Sequence, residues 1–204
     1  MSDASSAIAA DRRRAAAIAG HTGDAATARS LLTDSDPSVR ATAFAALQRC
    51  DALDAGELLA GLDDSDASVR RRCATLAATA RDNDTNARLR VLLRDDDHLV
   101  AEASAWALGE WGAAAANAVD ELASMTTSHD EPLCREAAVA ALGAIGDERA
   151  LAAILRACTD KPAVRRRAVL ALAPFDGVEV EAAIDAALTD RDWQVRQAAE
   201  DLRR

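Results

Sequence analysis

The residues that could perform chemistry are few, and they lie far apart in the sequence. The three histidines, His21, His98 and His129, fall in three different expected turns, and none has carboxylates beside it at the spacing of a metal site. The sequence contains no His-Glu dipeptide, no glycine-rich phosphate loop, no nucleophile elbow and no zincin motif. We therefore expect no catalytic residue, no cofactor and no bound metal, and we interpret the protein as a non-enzyme.

Two aspartate clusters are the remaining candidates for a cation site. The first is Asp63-Asp64 with Asp66, and the second is Asp95-Asp96-Asp97. Neither has the glycine and the terminal glutamate of a calcium-binding loop. Aspartate is favoured at helix N-termini, where its side chain accepts backbone hydrogen bonds. These clusters are therefore expected to be solvated N-caps.

The four cysteines form no recognisable metal or redox motif. None belongs to a CxxC pair, and no histidine lies close enough in sequence for a zinc site. Each lies in an apolar stretch, where a free thiol commonly behaves as a small buried hydrophobic group. Core thiols are expected at Cys50, Cys73, Cys134 and Cys158.

Three arginine triplets contain candidates for binding an acidic partner. They are Arg12–Arg14, Arg70–Arg72 and Arg165–Arg167. The middle arginines have no packing role that the sequence reveals, and together with Arg135 they could bind carboxylates or phosphates. These candidates are Arg13, Arg71, Arg135 and Arg166. Their wide spacing argues against one tight patch, so solvated charge is the other interpretation.

The composition favours a helical protein. Of the 204 residues 53 are alanine, and the chain is 50% hydrophobic but only 2% aromatic. A β-sandwich or barrel needs β-branched and aromatic residues on its half-buried strands, and a disordered chain has fewer apolar residues than this one. No apolar run reaches bilayer length, and the first residues lack the pattern of a signal peptide. A cytoplasmic location is expected.

The charges are strongly biased in sign and in type. There are 34 Asp+Glu against 24 Lys+Arg, a formal net charge of −10, and Lys161 is the single lysine. GC-rich codons explain arginine and alanine, whereas the excess of aspartate also fits a salt-rich cytoplasm. A halophilic source and an ordinary GC-rich one both remain open. The acidic balance makes nucleic acid an unfavoured partner.

One short pattern recurs six times and determines the predicted architecture. It begins with a turn that contains Asp and often Pro. An apolar anchor residue follows, the next residue is usually Arg, and an Ala-rich stretch completes the pattern. The anchors are Val39, Val69, Val100, Cys134, Val164 and Val195. Their separations of 30, 31, 34, 30 and 31 residues are typical of a solenoid repeat.

Each copy is predicted to form two antiparallel helices. The second helix begins at the Asp/Pro turn, carries apolar residues 4, 8 and 11 positions after the anchor, and ends at glycine where the pattern is fullest. The second helices are predicted at 36–50, 66–81, 97–111, 131–145, 162–175 and 192–203. The shorter first helices are predicted at 24–33, 54–63, 85–94, 115–126, 147–159 and 177–189.

The whole chain, 1–204, is predicted to be one domain. Gly20, Gly23 and Asp24 match Gly143, Gly146 and Asp147, so residues 5–19 are expected to form a lone second-type helix that caps the stack. Glu200 and Asp201 replace apolar residues in the last helix, as a terminal repeat requires, and we expect the chain to be complete. The helix pairs are predicted at about 23–50, 54–81, 85–112, 115–146, 147–176 and 177–204.

The pattern Asp-x-x-Val-Arg, followed by alanines and Gly-x-x-Gly-Asp, resembles the short HEAT-like repeats of phycobilisome-lyase-type proteins. The resemblance covers residues 5–204 and implies a right-handed α-solenoid that serves mainly for protein binding. It also implies that the arginine after each anchor bridges to aspartates of neighbouring turns. These structural arginines are Arg40, Arg70, Arg135, Arg165 and Arg196. Ala101 departs from the pattern, which would leave Asp95–Asp97 free.

Trp106 is the strongest single candidate for a binding residue. It lies six positions after its anchor, off the buried stripe, on the side that usually lines the concave surface of such solenoids. Glu102 and Glu110 lie one turn away on either side, and aromatic residues are enriched in binding hot spots. Packing of Trp106 against an adjacent helix is the alternative. Trp193 is expected to be a packing residue.

We conclude from the sequence that the protein is an all-α solenoid that binds a protein partner on its concave face. Two alternatives remain open. One is a bilin-lyase-like accessory protein that holds a tetrapyrrole, although the lack of tyrosine and the few histidines leave few polar anchors for it. The other is a HEAT-like nucleic-acid binder, which requires a continuous basic strip.

Overall fold

A computed structural model describes residues 3–204, with side chains from residue 7 onward. This part of the chain contains helices and no strand. The first seven α-helices are α1 (Asp3–Thr22), α2 (Ala25–Ser30), α3 (Pro37–Arg49), α4 (Ala55–Leu62), α5 (Ala67–Leu76), α6 (Asn83–Leu92) and α7 (His98–Trp111). The others are α8 (Val119–Ser128), α9 (Pro132–Ile145), α10 (Leu151–Ala157), α11 (Pro162–Ala171), α12 (Val178–Ala187) and α13 (Trp193–Leu202). Within residues 3–204, none of the helices is both long and apolar enough to cross a membrane.

The recurrent turns start the second helix of each copy as predicted. The side chains of Asp36, Asp66 and Asp192 each accept the backbone N–H two residues later, and proline occupies the first turn of α3, α9 and α11. All six anchors are at most 1% exposed. The prediction of successive helix pairs preceded by a lone N-terminal helix is confirmed.

The helices form two compact units, Met1–Arg88 and Leu89–Arg204. In the first unit α1, α3 and α5 lie side by side, while α2 and α4 pack against them as a second layer. In the second unit α7, α9, α11 and α13 form one row, and α8, α10 and α12 pack on the buried side of that row. Each unit is therefore a two-layer stack. One domain over 1–204 remains a prediction.

Several predicted helix boundaries are wrong, and in two copies a 3-10 segment precedes the helix. Helix α1 is longer than the predicted 5–19, so His21 lies in its last helical turn and not in a turn between helices. The first helix of copy four begins only at Val119, since residues 112–118 form a 3-10 segment with a non-helical residue, Ala115. A 3-10 turn at Glu148–Ala150 likewise delays α10.

An arginine ladder ties successive turns together inside each unit. The guanidinium of Arg40 donates two hydrogen bonds to Asp64 at 2.7 and 2.8 Å. Arg135 binds Asp160 in the same two-pronged way at 2.7 and 2.8 Å. Other members make related contacts: Arg12 binds the Asp34 carboxylate, Arg165 binds the Asp190 carboxylate, and Arg70 and Arg196 donate to the carbonyl oxygens of Asp64 and Asp190.

The expectation that Ala101 leaves the second aspartate cluster, Asp95–Asp97, free is wrong. Ala101 is fully buried, and Asp95 accepts the N–H of Asp97 at 2.9 Å. Asp97 in turn caps α7 by accepting the N–H of Leu99 at 2.9 Å. Backbone donors therefore use these carboxylates as local turn and cap acceptors.

The ladder predicts a loss of stability in acid. Hydrogen bonds from Arg165 lower the pKa of Asp190, and those from Arg135 lower the pKa of Asp160. These folded-state pKa values lie below the unfolded value of about 3.9. The stabilisation of the folded state by these two ion pairs is therefore complete above that pH, and it disappears as the pH falls through the folded-state pKa. Urea unfolding between pH 7 and pH 2.5 measures it. Asp190→Asn should be less stable at pH 7 and lose less stability below pH 4; an unchanged acid slope would contradict the assignment.

Asp51 holds a left-handed conformation that glycine occupies at other copies. Its φ is 52°, and it lies at the same repeat position as Gly23 (φ 76°) and Gly146 (φ 69°). A residue with a Cβ is strained there. Asp51→Gly is expected to stabilise the fold by about 0.5–1 kcal/mol. Chemical denaturation tests this, with Asp51→Asn as the control for lost charge; equal gains in both variants would assign the effect to charge.

Candidate functional site

Trp106 is exposed, and it lines a groove between α7 and α9. Its side chain is 42% exposed, although the residues around it on α7 are largely buried. The groove has a volume of about 270 Å³ and reaches α11 at one end, where Arg167 lines it. We refer to it as the Trp106 groove. Its lining residues are Glu102, Trp106, Gly109, Glu110, Leu133, Glu136, Ala137, Ala140, Ala141, Ala144 and Arg167.

The helix geometry of α7 presents Trp106 and two glutamates on one face. Glu102 and Glu110 are four residues before and after Trp106, a spacing that puts side chains one above the other. The buried stripe faces the other way: Trp111 is 6% exposed, and the hydroxyl of Ser104 donates to the Val100 carbonyl at 2.8 Å. Ser104, a polar residue in the buried stripe, thus has its hydroxyl hydrogen-bonded within α7.

The opposite wall comes from α9 and is mostly apolar, with Glu136 as its charged residue. Leu133, in the first turn of α9, is 45% exposed, and four alanines continue the wall along the helix. Gly109 lets the two helices approach closely, since a Cβ added there would lie 3.0 Å from the Ala141 Cα. The sequence alone did not single out Leu133, Glu136 and Arg167. The available signal was register: Glu136 stands two residues after its anchor, as Glu102 does.

Acidic groups dominate the groove. Glu102, Glu110 and Glu136 contribute three carboxylates, against the single guanidinium of Arg167. Arg167 Nη2 lies 3.5 Å from Glu136 Oε1, so the one cation present already contacts a groove carboxylate. The lining therefore carries a net negative charge beside an exposed indole.

A family profile described as HEAT repeats matches residues 55–128 and 85–173. The matches together span more than half of the chain. The chain belongs to the HEAT-repeat family. The resemblance seen in its turn motif is thereby confirmed.

Solved structures similar to this HEAT-repeat protein show the same fold. An engineered protein aligns with 88% of this chain and 96% of its own, at 22% identity and a TM-score of 0.68. A designed armadillo repeat protein in complex with the peptide (KR)4 covers 86% and 95%, at 16% identity and 0.64. The complex of CpcE and CpcF of phycocyanin lyase from Nostoc sp. PCC7120 covers 86% and 74%, at 23% identity and 0.63. A comparison with curated proteins found no match.

The predicted arginine candidates are divided between the two units. Arg13 and Arg71 are exposed in the first unit, and Arg166 is exposed in the second. Arg13 lines a separate hollow with Arg14 and Thr42. Arg135 is not an exposed binding residue as predicted. Its guanidinium pairs with Asp160 and only 13% of its side chain is exposed, so it serves as one of the structural arginines.

The cysteines and histidines of this HEAT-repeat protein assemble no metal site in the described residues. All four cysteines are free thiols, and Cys73 and Cys134 are buried. Burial raises the pKa of Cys134 and of Cys158 to about 11, which keeps both thiols protonated at neutral pH.

The prediction that Trp193 is a packing residue is wrong, because its side chain is 65% exposed.

Removal of the Trp106 side chain should leave the fold intact. Since the indole is 42% exposed, Trp106→Ala is expected to cost less than about 1 kcal/mol of folding free energy. Thermal melting measures this, with Trp193→Ala as a matched loss of an exposed indole. A much larger drop in melting temperature for Trp106→Ala than for the control would show that Trp106 serves packing.

Proposed function

We propose that this HEAT-repeat protein is a non-enzymatic interaction module that binds a protein partner in the Trp106 groove. The observation that carries the proposal is that an exposed tryptophan and an exposed leucine, Leu133, line the same groove together with four alanines. Tryptophan is among the residues most enriched in binding hot spots, and apolar surface framed by charge is typical of interaction sites. The designed armadillo neighbour, which was solved with a peptide, supports the idea that such helix stacks hold peptide segments.

The proposal includes the setting in which the module works. We infer a single functional domain over 1–204 in the cytoplasm. Four free cysteines support this location, because reducing compartments keep thiols unpaired. The acidic surface and its excess of aspartate suit a salt-rich cell interior.

The experiment is capture of the partner from cells of the source organism with matched baits. Wild-type protein and Trp193→Ala should capture the same protein, and Trp106→Ala should lose it. The affinity for that captured protein, once purified, should fall by roughly 2 kcal/mol or more, as for other aromatic hot spots. Equal capture by Trp106→Ala would contradict binding in the groove.

The tetrapyrrole alternative has one supporting observation, the shared fold with the CpcE–CpcF complex. An absorbance titration with bilins tests it, and a spectral shift that Trp106→Ala abolishes would favour it over a protein partner. The nucleic-acid alternative has less support. Glu102, Glu110 and Glu136 would repel phosphates from the groove.

A further inference from the structure

The lining of the Trp106 groove is negatively charged, so its occupant should be positively charged. Three glutamates line a volume of about 270 Å³ together with one arginine, in a chain whose net charge is −10. Building on the proposed function, we propose that the groove binds an arginine-bearing segment of a partner protein, with an arginine side chain stacked on the Trp106 indole.

The first step of the argument is the placement of Trp106 between two carboxylates. A cation over the face of an indole is attracted by the ring electrons, and tryptophan is the strongest such partner among aromatic side chains. Glu102 and Glu110 lie one helical turn to either side of the ring on the same face. A guanidinium stacked there can reach a carboxylate without leaving the ring.

The second step is the contact that Arg167 already makes. Its Nη2 lies 3.5 Å from Glu136 Oε1 at the α11 end of the groove. The groove thus accommodates one guanidinium beside a carboxylate within its own chain. Arginine suits the site better than lysine, because its planar group both stacks on rings and binds carboxylates through two parallel N–H groups.

The third step is the apolar part of the α9 wall opposite Trp106. Leu133, Ala137 and Ala140 offer no hydrogen-bonding side chain. The methylene groups of a bound arginine, or a neighbouring apolar residue of the segment, would cover this wall. The occupant is therefore a segment in which arginine alternates with apolar residues, and an acidic or purely neutral one does not fit.

The test uses an acetylated, amidated octapeptide in which arginine alternates with alanine. Isothermal titration calorimetry at 150 mM salt compares it with the same peptide carrying citrulline, which is neutral and of similar shape, and with lysine and glutamate versions. We expect binding about tenfold weaker with citrulline, weaker binding with lysine, and none with glutamate.

Variants of the protein locate the binding in the groove. Trp106→Ala should weaken arginine-peptide binding about tenfold, and Glu102→Gln should weaken it several-fold. Trp193→Ala and Glu200→Gln are the matched controls, because they make the same changes at exposed positions of α13 outside the groove. Both controls should bind within about twofold of wild type.

Three outcomes overturn the inference. No binding of the arginine peptide excludes it, and equal affinity for the citrulline peptide means that the groove takes neutral segments. Equal weakening by Trp106→Ala and Trp193→Ala means that the peptide does not bind specifically in the groove. In each case capture of the native partner still decides the proposed function, because that experiment assumes no particular charge of the partner.

Discussion

Arg165→Ala is expected to lower the free energy of unfolding by about 3–5 kcal/mol. Arg165 donates to both carboxylate oxygens of Asp190, at 2.7 and 2.9 Å, and to the Asp160 carbonyl at 2.9 Å. The side chains of Arg165 and Asp190 are only 7% and 16% exposed. Truncation would leave a largely buried carboxylate without its cation, which is the costly way to break such a pair.

Two further variants separate the ion pair from the loss of an arginine side chain. Arg196 occupies the same repeat position in α13, and the contact that the structure gives it is one hydrogen bond to the Asp190 carbonyl, at 2.7 Å. Arg196→Ala should cost about 1 kcal/mol. Adding Asp190→Ala to Arg165→Ala should recover part of the loss, because no unpaired carboxylate remains. Urea unfolding measures all three; similar losses for Arg165→Ala and Arg196→Ala would show that the Asp190 pair contributes little.

Repeat register made much of the fold predictable. The anchors recur every 30–34 residues, and each is buried where the pattern puts it. The aspartate caps and the glycine after α9 follow from local backbone chemistry, which acts over a few residues and is visible in sequence. The 3-10 segment at residues 112–118 was not visible, because an alanine run gives no signal for where a helix begins.

The site was only partly predictable, since its two walls come from different repeats. Helical periodicity put Trp106 and its two glutamates on the unburied side of α7. Leu133 lies in the same groove because α9 packs closely against α7 at Gly109. The periodicity of a single helix does not show how close the next helix lies. Trp193 was misjudged for the same reason: whether an indole at the start of α13 is covered depends on neighbours that the repeat does not specify.

Close helix approach can be tested at Gly143, where adding one methyl group should destabilise the protein by about 1–3 kcal/mol. In an ordinary helix Gly→Ala is favourable by up to about 1 kcal/mol. At Gly143 of α9, however, the new Cβ would lie 2.7 Å from both the Cα and the Cβ of Ala171. The backbone of α11 would have to move away, since neither atom belongs to a flexible side chain.

A graded series gives the Gly143 prediction its control. Gly56, in the first turn of α4, has as its nearest neighbour an Asp54 carboxylate oxygen at 3.4 Å, so Gly56→Ala should be neutral or stabilising. Gly109→Ala, with 3.0 Å to the Ala141 Cα, should fall between the two. Chemical denaturation of the three variants should therefore rank them by distance. A stabilising Gly143→Ala would contradict the close packing of α9 against α11. If the ranking holds, Gly109→Ala should also weaken binding in the Trp106 groove, because α7 and α9 form its two walls.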